Sequence, residues 1–272
     1  MRIVLTDSRK VSQFAGILRH LKNLSSDIII AIDEDHLYTQ GMDDSHASLF
    51  ELNLSKDWFS EFKAEETEIK LGINCELIFK IFNCLGENQN IELTYDLSEG
   101  DYIYITLYPQ EGERGIRKEF QVPLMNLDSD FLPVPDSDWS ADIQMVSDDF
   151  SKLIDELAIF GSDLIIHCEE DIIKLISDGE LGKMKAIIKD EDILLYAIEE
   201  GGEVKAKYAI SYVNMFASVS KVNKKVNIHI DEKLPLKIQY DLDDVMDEDD
   251  DDEEDEATNY LRFYLAPKIE DF

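Results

Sequence analysis

One supersecondary unit is written twice in this chain, and that repetition constrains its fold more than any other feature. "YDLSEGDYIYITLYP" runs from Tyr95 to Pro109, and "YDLDDVMDEDDDDEEDEATNYLRFYLAP" from Tyr240 to Pro267. Both open on Tyr-Asp-Leu, pass through a turn, and close on an alternating apolar strand and a proline. "KLGINCELIF" (Lys70 to Phe79) matches "KYAISYVNMF" (Lys207 to Phe216), with Lys, Ile and Phe at the same offsets. "IELTYDL" (Ile91 to Leu97) matches "LKIQYDL" (Leu236 to Leu242). Amphipathic strands resemble one another, so each match alone is weak. Three in the same order indicate an internal duplication. In this register the acid run of Asp243 to Glu256 occupies the turn that holds only Ser-Glu-Gly in the first half. It is expected to be a hairpin insertion, where added length costs little closure entropy.

Each half also carries two amphipathic helical patterns. Val11, Phe14, Ile17, Leu18, Leu21 and Leu24 recur at helical spacing, as do Phe150, Leu153, Ile154, Leu157 and Phe160. "DIIIAID", "ASLFELNL", "YIYITL", "LIIHC" and "VNIHI" alternate as strands. The expected class is α+β: two similarly folded domains, antiparallel sheets with helices on one face. The expected domains are 1–122 and 141–272, joined by a linker over 123–140 and with the acidic insertion at 243–256. Three prolines and several acids break "PLMNLDSDFLPVPDSDW" (Pro123 to Trp139), yet the stretch is greasier than a passive spacer.

The length of 272 residues suits two domains. No apolar run approaches spanning length, so a soluble intracellular protein with no membrane partner is expected. Cys75, Cys84 and Cys168 form no Cys-x-x-Cys pair and are expected to be free, buried thiols in a reducing compartment. The formal net charge of −34 suggests repulsion from nucleic acid. Its distribution says otherwise. Thirteen acids lie within Asp241 to Glu256, a solvated stretch that lacks the turn glycine and ligand spacing of an EF-hand. Ser8 to Ser26 holds Arg9, Lys10, Arg19 and Lys22 but no acid. Ser211 to Ile230 holds Lys221, Lys224 and Lys225, again with no acid. At the chain's average composition each would carry about four. Two segments cleared of negative charge indicate surfaces facing phosphates. The helix "DDFSKLIDEL" breaks the uniformity, with Asp148, Asp149, Asp155 and Glu156 against Lys152.

"MDDSHASLFELNL" (Met42 to Leu54), "LMNLDSDFLPVP" (Leu124 to Pro135), "DGELG" (Asp178 to Gly182) and "YLAPKIE" (Tyr264 to Glu270) occur in an order that resembles the proliferating cell nuclear antigen family of DNA sliding clamps. The resemblance spans nearly the whole chain. It implies a nuclear homotrimeric ring, or one at a viral replication site, with helices lining a hole around double-stranded DNA, without sequence readout, and sheets outside. Lys22, Lys80 and Lys152 match the family's channel-facing bases. Arg19 is a local addition, and Lys10 lies in the first acid-free stretch. Departures stand at Ala15 and Gly16, where the family often has lysines, and at Asn83, Asp155 and Ser218. Lys221, Lys224 and Lys225 are the bases available to offset them.

The resemblance also implies recognition of short partner peptides bearing a glutamine and two aromatics. The matching positions are Met42, His46, Ala47, Leu49, Leu124, Leu127, Leu132, Val134, Pro135, Pro235, Tyr264, Ala266, Pro267 and Ile269. Partners implied are a DNA polymerase, an ATP-driven clamp loader, and nucleases and ligases carrying such peptides. Subunits are expected to join through edge strands. The candidates are Gly115 to Val122, with Arg117 and Phe120, and Ile172 to Gly182, with Ile173, Leu175, Ser177 and Leu181. No nucleophile–base pair, phosphate loop or zinc spacing is present, so a non-enzyme without cofactor or metal is expected. His167-Cys168-Glu169-Glu170 looks chemical, but alternation sends neighbouring side chains to opposite faces. Two other roles fit parts of the chain: a clamp-fold adaptor that does not encircle DNA, and an acidic histone-binding chaperone built on the acid run.

Overall fold

A computed structural model describes residues 1–64, 68–98, 100–127, 130–134, 137–180, 182–243 and 258–268. Pro135, Leu181, Ile269 and nearly all of the acid run lie outside them. The first half contains β1 (Arg2–Leu5), α1 (Ser8–Leu21), β2 (Asp27–Ile32), β3 (His36–Met42), β4 (Ser48–Ser55), β5 (Glu61–Lys63), β6 (Ile69–Asn74), α2 (Cys75–Phe82), β7 (Gln89–Tyr95), β8 (Tyr102–Pro109) and β9 (Lys118–Pro123). The second contains β10 (Ala141–Val146), α3 (Ser147–Ala158), β11 (Asp163–Glu169), β12 (Ile172–Gly179), β13 (Gly182–Lys189), β14 (Leu195–Ile198), β15 (Val204–Ala209), α4 (Ile210–Ala217), β16 (Lys225–Ile230), β17 (Leu236–Asp241) and β18 (Tyr260–Leu265). One compact unit gathers Met1–Met42, Glu51–Leu132 and Leu242–Leu261; the other gathers Asp43–Phe50, Pro133–Asp241 and Arg262–Phe272.

Strand order repeats between the halves. The first has β5-β1-β7-β8-β9 and β4-β3-β2-β6. The second has β14-β10-β16-β17-β18 and β13-β12-β11-β15. The pairings β1–β7, β10–β16, β12–β13 and β2–β6 are all antiparallel. This order corrects the repeat register. β7 corresponds to β16 and β8 to β17, so the Tyr-Asp-Leu motifs sit one strand out of step. The acid run joins β17 to β18 and therefore corresponds to the β8–β9 turn, not to Ser-Glu-Gly. Tyr-Asp-Leu recurs because both copies end an apolar strand at a turn, a local demand that any such hairpin shares.

Two helices lie in each half, and those of the first half are capped by side chains. The Asp7 side chain accepts from Lys10 N at 2.9 Å at the start of α1, and Asn74 accepts from Leu77 N at 3.1 Å at the start of α2. Phe14 on α1 is buried among Trp58, Phe59 and Phe82, with ring centroids 6.0–6.3 Å away. In the second unit Phe216 on α4 stacks on Phe263 at 4.7 Å, and the buried Tyr240 hydroxyl donates to Phe216 O at 3.1 Å.

Two further expectations change. Cys75 and Cys168 are buried, and burial pushes both thiols up to about 12. Cys84 is exposed, because it lies just past α2 on the solvent side of the turn. The stretch Ile172–Gly179 is not an edge: β12 pairs with β11 on one side and β13 on the other. Ile173, Leu175 and Ser177 are buried there, so they present nothing to a neighbouring subunit. The outer strands of that set are β13 and β15.

Candidate functional site

The linker is fixed to the first unit by hydrogen bonds and a ring contact. Met125 N donates to Gly72 O at 2.8 Å, forming a bridge on the outer side of β6. The buried Gln40 amide on β3 donates to Leu132 O at 2.9 Å and accepts from Leu132 N at 2.7 Å. Phe131 meets Tyr38 edge-on at 4.9 Å, with Lys70 Nζ 5.5 Å over its ring. Regular structure stops at Pro123, as the prolines require, but the chain beyond is anchored. Leu124 and Leu127 are half-buried, while Leu132 is exposed. Gly72 permits the close approach: an added Cβ would strike Met125 O and sit 3.0 Å from Leu127 Cγ.

The C-terminal segment repeats the device in the second unit. Past β18, Lys268 N donates to Lys207 O on β15 at 2.7 Å, as Met125 does to β6 past β9. Lys268 and Lys207 both pair with Asp163, the latter at 2.9 Å. Ala266 N donates to Ala47 O at 3.0 Å. Tyr264 is buried, while Ala266, Pro235 and His46 are exposed and Ala47, Leu49, Val134 and Pro267 are half-buried. Met42, in the first unit, is half-buried too.

Asp43 organises the turn that carries His46 and Ala47. Its carboxylate accepts from Ser45 N at 3.0 Å, Ser48 N at 2.6 Å and the Tyr212 hydroxyl at 2.7 Å. Burial alone would raise its pKa; these donors and the Ser45 hydroxyl outweigh burial and hold it well below the usual carboxylate range. Tyr212 lies 169 positions away in sequence, and no motif announces the contact. Asp43→Asn is expected to cost about 1–3 kcal/mol at pH 7, the penalty for donors left unsatisfied. A depressed native pKa stabilises above the unfolded value of about 3.9. The gap between wild type and variant should therefore be constant at neutral pH and close as pH falls below about 4. Urea unfolding across pH measures it; a gap that widens on acidification would refute the assignment.

The basic candidates are placed as follows. On α1, Lys10 and Arg19 are half-buried, and Arg19 Nε donates to Ala15 O at 3.0 Å. Lys22, just past α1, lies 3.2 Å over the Phe79 ring of α2. Lys80 pairs with Glu76 at 3.4 Å, and Lys152 with Asp149 at 3.6 Å. Lys221 and Lys224 are exposed in the turn after α4. At the candidate interface strands, β9 pairs with β8 alone among the described residues, and Phe120 on it is half-buried. Arg117, just before β9, is tied to Glu119 at 2.7 Å.

His167 gains a neighbour that sequence spacing could not show. Glu203 Oε1 lies 2.6 Å from His167 Nε2, and Glu169 Oε1 lies 3.4 Å away. Lys174 occupies Glu169, which this ion pair holds below its ordinary pKa. The group is an ion-paired cluster on the outward side of β11.

Comparison with known proteins supplies the identity. Residues 8–131 match the family model for the proliferating cell nuclear antigen N-terminal domain, and residues 133–249 match that for its C-terminal domain. The chain is 26% identical to proliferating cell nuclear antigen of Caenorhabditis elegans over 260 residues, covering 94% of this chain and 93% of the relative. With both domains matched in order along a chain whose halves share one strand order, the chain belongs to the proliferating cell nuclear antigen family, the non-enzymatic sliding clamps that serve as processivity factors in DNA replication and repair.

Proposed function

We propose that three copies of this chain close into a ring around duplex DNA and tether a DNA polymerase and other DNA-processing enzymes to it. The observation that carries this is α1: a capped helix with Arg9, Lys10 and Arg19, followed by Lys22, and free of acids in a chain of charge −34. Clearing one surface of acids matters only if that surface meets phosphate. A ring holds DNA topologically, so few and screened contacts suffice and sliding stays easy. Closure joins β9 of one copy to β13 of the next, head to tail. Each has an unpaired side within its own unit among the described residues. β13 exposes Lys183, Lys185 and Ile187, and β9 exposes Glu119 and Gln121.

Partner peptides carrying a glutamine and paired aromatics contact the linker positions Leu124, Leu127, Leu132, Val134 and Pro135. They also contact Met42, His46, Ala47, Leu49 and Pro235, and the tail positions Tyr264, Ala266, Pro267 and Ile269. Half-exposed apolar side chains fixed on a rigid backbone favour such docking. An ATP-driven loader opens the ring, nucleases and ligases are among the enzymes recruited, and the site of action is the nucleus. A second possibility, an adaptor of the same fold that does not encircle DNA, is favoured by the four acids of α3.

Retention on DNA separates the two. After loading by a clamp-loader ATPase, the protein should stay on nicked circular DNA through gel filtration in high salt and be lost once that DNA is cut. An adaptor would show no dependence on topology.

A further inference from the structure

The duplicated halves carry opposite charge on equivalent elements. The stripe Phe14, Ile17, Leu18, Leu21 on α1 matches Phe150, Leu153, Ile154, Leu157 on α3. That register puts Asp155 at the position of Arg19, Glu156 at that of His20 and Asp148 at that of Ser12. In the turns after α2 and α4 the inversion runs the other way. The turn after α2 carries one acid, Glu87, and no base, whereas the turn after α4 carries Lys221 and Lys224 and no acid. One half has a basic helix and a turn with a single acid; the other has an acidic helix and a basic turn.

Local stability does not account for this. Asp148 and Asp149 lie in the first turn of α3, where the helix dipole favours acids. Asp155 and Glu156 lie in its last turn, where the dipole opposes them, and no base offsets them there. Lys152, the helix's single base, is paired with Asp149. In the turn, the ammonium groups of Lys221, Lys224 and Lys225 are exposed and form no ion pair among the described residues. The backbone beneath them is fixed. Val219 and Val222 are buried, Ser147 N donates to Lys224 O at 2.8 Å, and the Ser220 hydroxyl donates to Asp148 at 3.0 Å. Three unpaired lysines on a braced turn, in a chain with 60 acids, form a surface that fits phosphate.

We propose that in the second domain the element contacting duplex DNA is the Lys221–Lys225 turn, and that α3 repels phosphate and adds no contact through Lys152. This rests on the clamp function proposed above. DNA contact then alternates around the ring between a helix of one domain and a turn of the next.

Anisotropy titrations of the full chain with a fluorescent 30-base-pair duplex at low salt test it. The triple variant K221A/K224A/K225A should weaken binding roughly tenfold and flatten the plot of log affinity against log salt by about 2–3 units. K152A should change neither. K221R/K224R/K225R should keep wild-type affinity, which separates loss of charge from misfolding. Wild-type binding by the triple alanine variant, or a loss on K152A alone, would overturn the proposal while leaving topological retention on circular DNA intact. A wild-type chain that neither binds duplex nor is retained on circles would overturn the clamp function as well.

Discussion

Gly72→Val is expected to detach the linker from β6 and to weaken binding of a glutamine-and-aromatic peptide by roughly tenfold, about 1.4 kcal/mol. The outer side of β6 is closed by Met125, whose N donates to Gly72 O at 2.8 Å. A side chain on residue 72 meets the Met125 carbonyl oxygen and lies 3.0 Å from Leu127 Cγ. The first obstacle is backbone and cannot rotate away, so the bridge must open. Overpacking of this kind costs about 1–3 kcal/mol. The Gln40–Leu132 pair lies farther along and should hold that end in place. Displacement is then confined to Leu124 to Leu127, two of whose leucines are proposed to meet the peptide. Peptide anisotropy and urea unfolding on the same preparation report the two effects. A variant that keeps wild-type peptide affinity despite losing stability would show that this part of the linker does not shape the binding surface.

Phe14→Ala should have the largest effect on stability, about 3–5 kcal/mol. Phe14 is buried on α1 and touches rings from two other parts of the first unit: Trp58 and Phe59 after β4, and Phe82 at the end of α2. Removing it leaves a cavity shared by both helices and the sheet beneath them. Trp58 is itself held by donation of its Nε1 to Leu242 O at 3.0 Å, so the walls cannot simply collapse inward. The same helix carries Arg9, Lys10 and Arg19, and its loosening should weaken duplex binding beyond what stability alone predicts. Calorimetric or urea unfolding measures the first effect. A loss under 1 kcal/mol would mean that the aromatic cluster repacks around the gap and does not anchor α1.

The helices, the α+β class and the duplication were legible because each rests on local periodicity. α1 and α3 show their apolar stripes without ambiguity. What failed was non-local. Tyr-Asp-Leu marks a strand end, and strand ends recur throughout an antiparallel sheet, so the motif could not say which hairpins correspond. The edge of the second sheet escapes the sequence for a related reason. "IIKLIS" has the stronger apolar alternation and reads as the better strand, yet that alternation suits a strand with neighbours on both sides. "GKMKAIIK", with lysines at alternate positions, is an outer strand, and edge strands commonly carry lysine. Asp43 with Tyr212, and His167 with Glu203, meet across separate elements, and no spacing rule reaches that far. Cys84 departs from the expectation because cysteine's general preference for burial says nothing about the solvent side of a particular turn.

Assembly is the premise on which DNA encirclement, loading and the alternation of contacts all depend. Sedimentation equilibrium at micromolar concentration tests it most directly. The predicted result is a single species of three times 31.3 kDa. A species that stays at 31.3 kDa as concentration rises would contradict it.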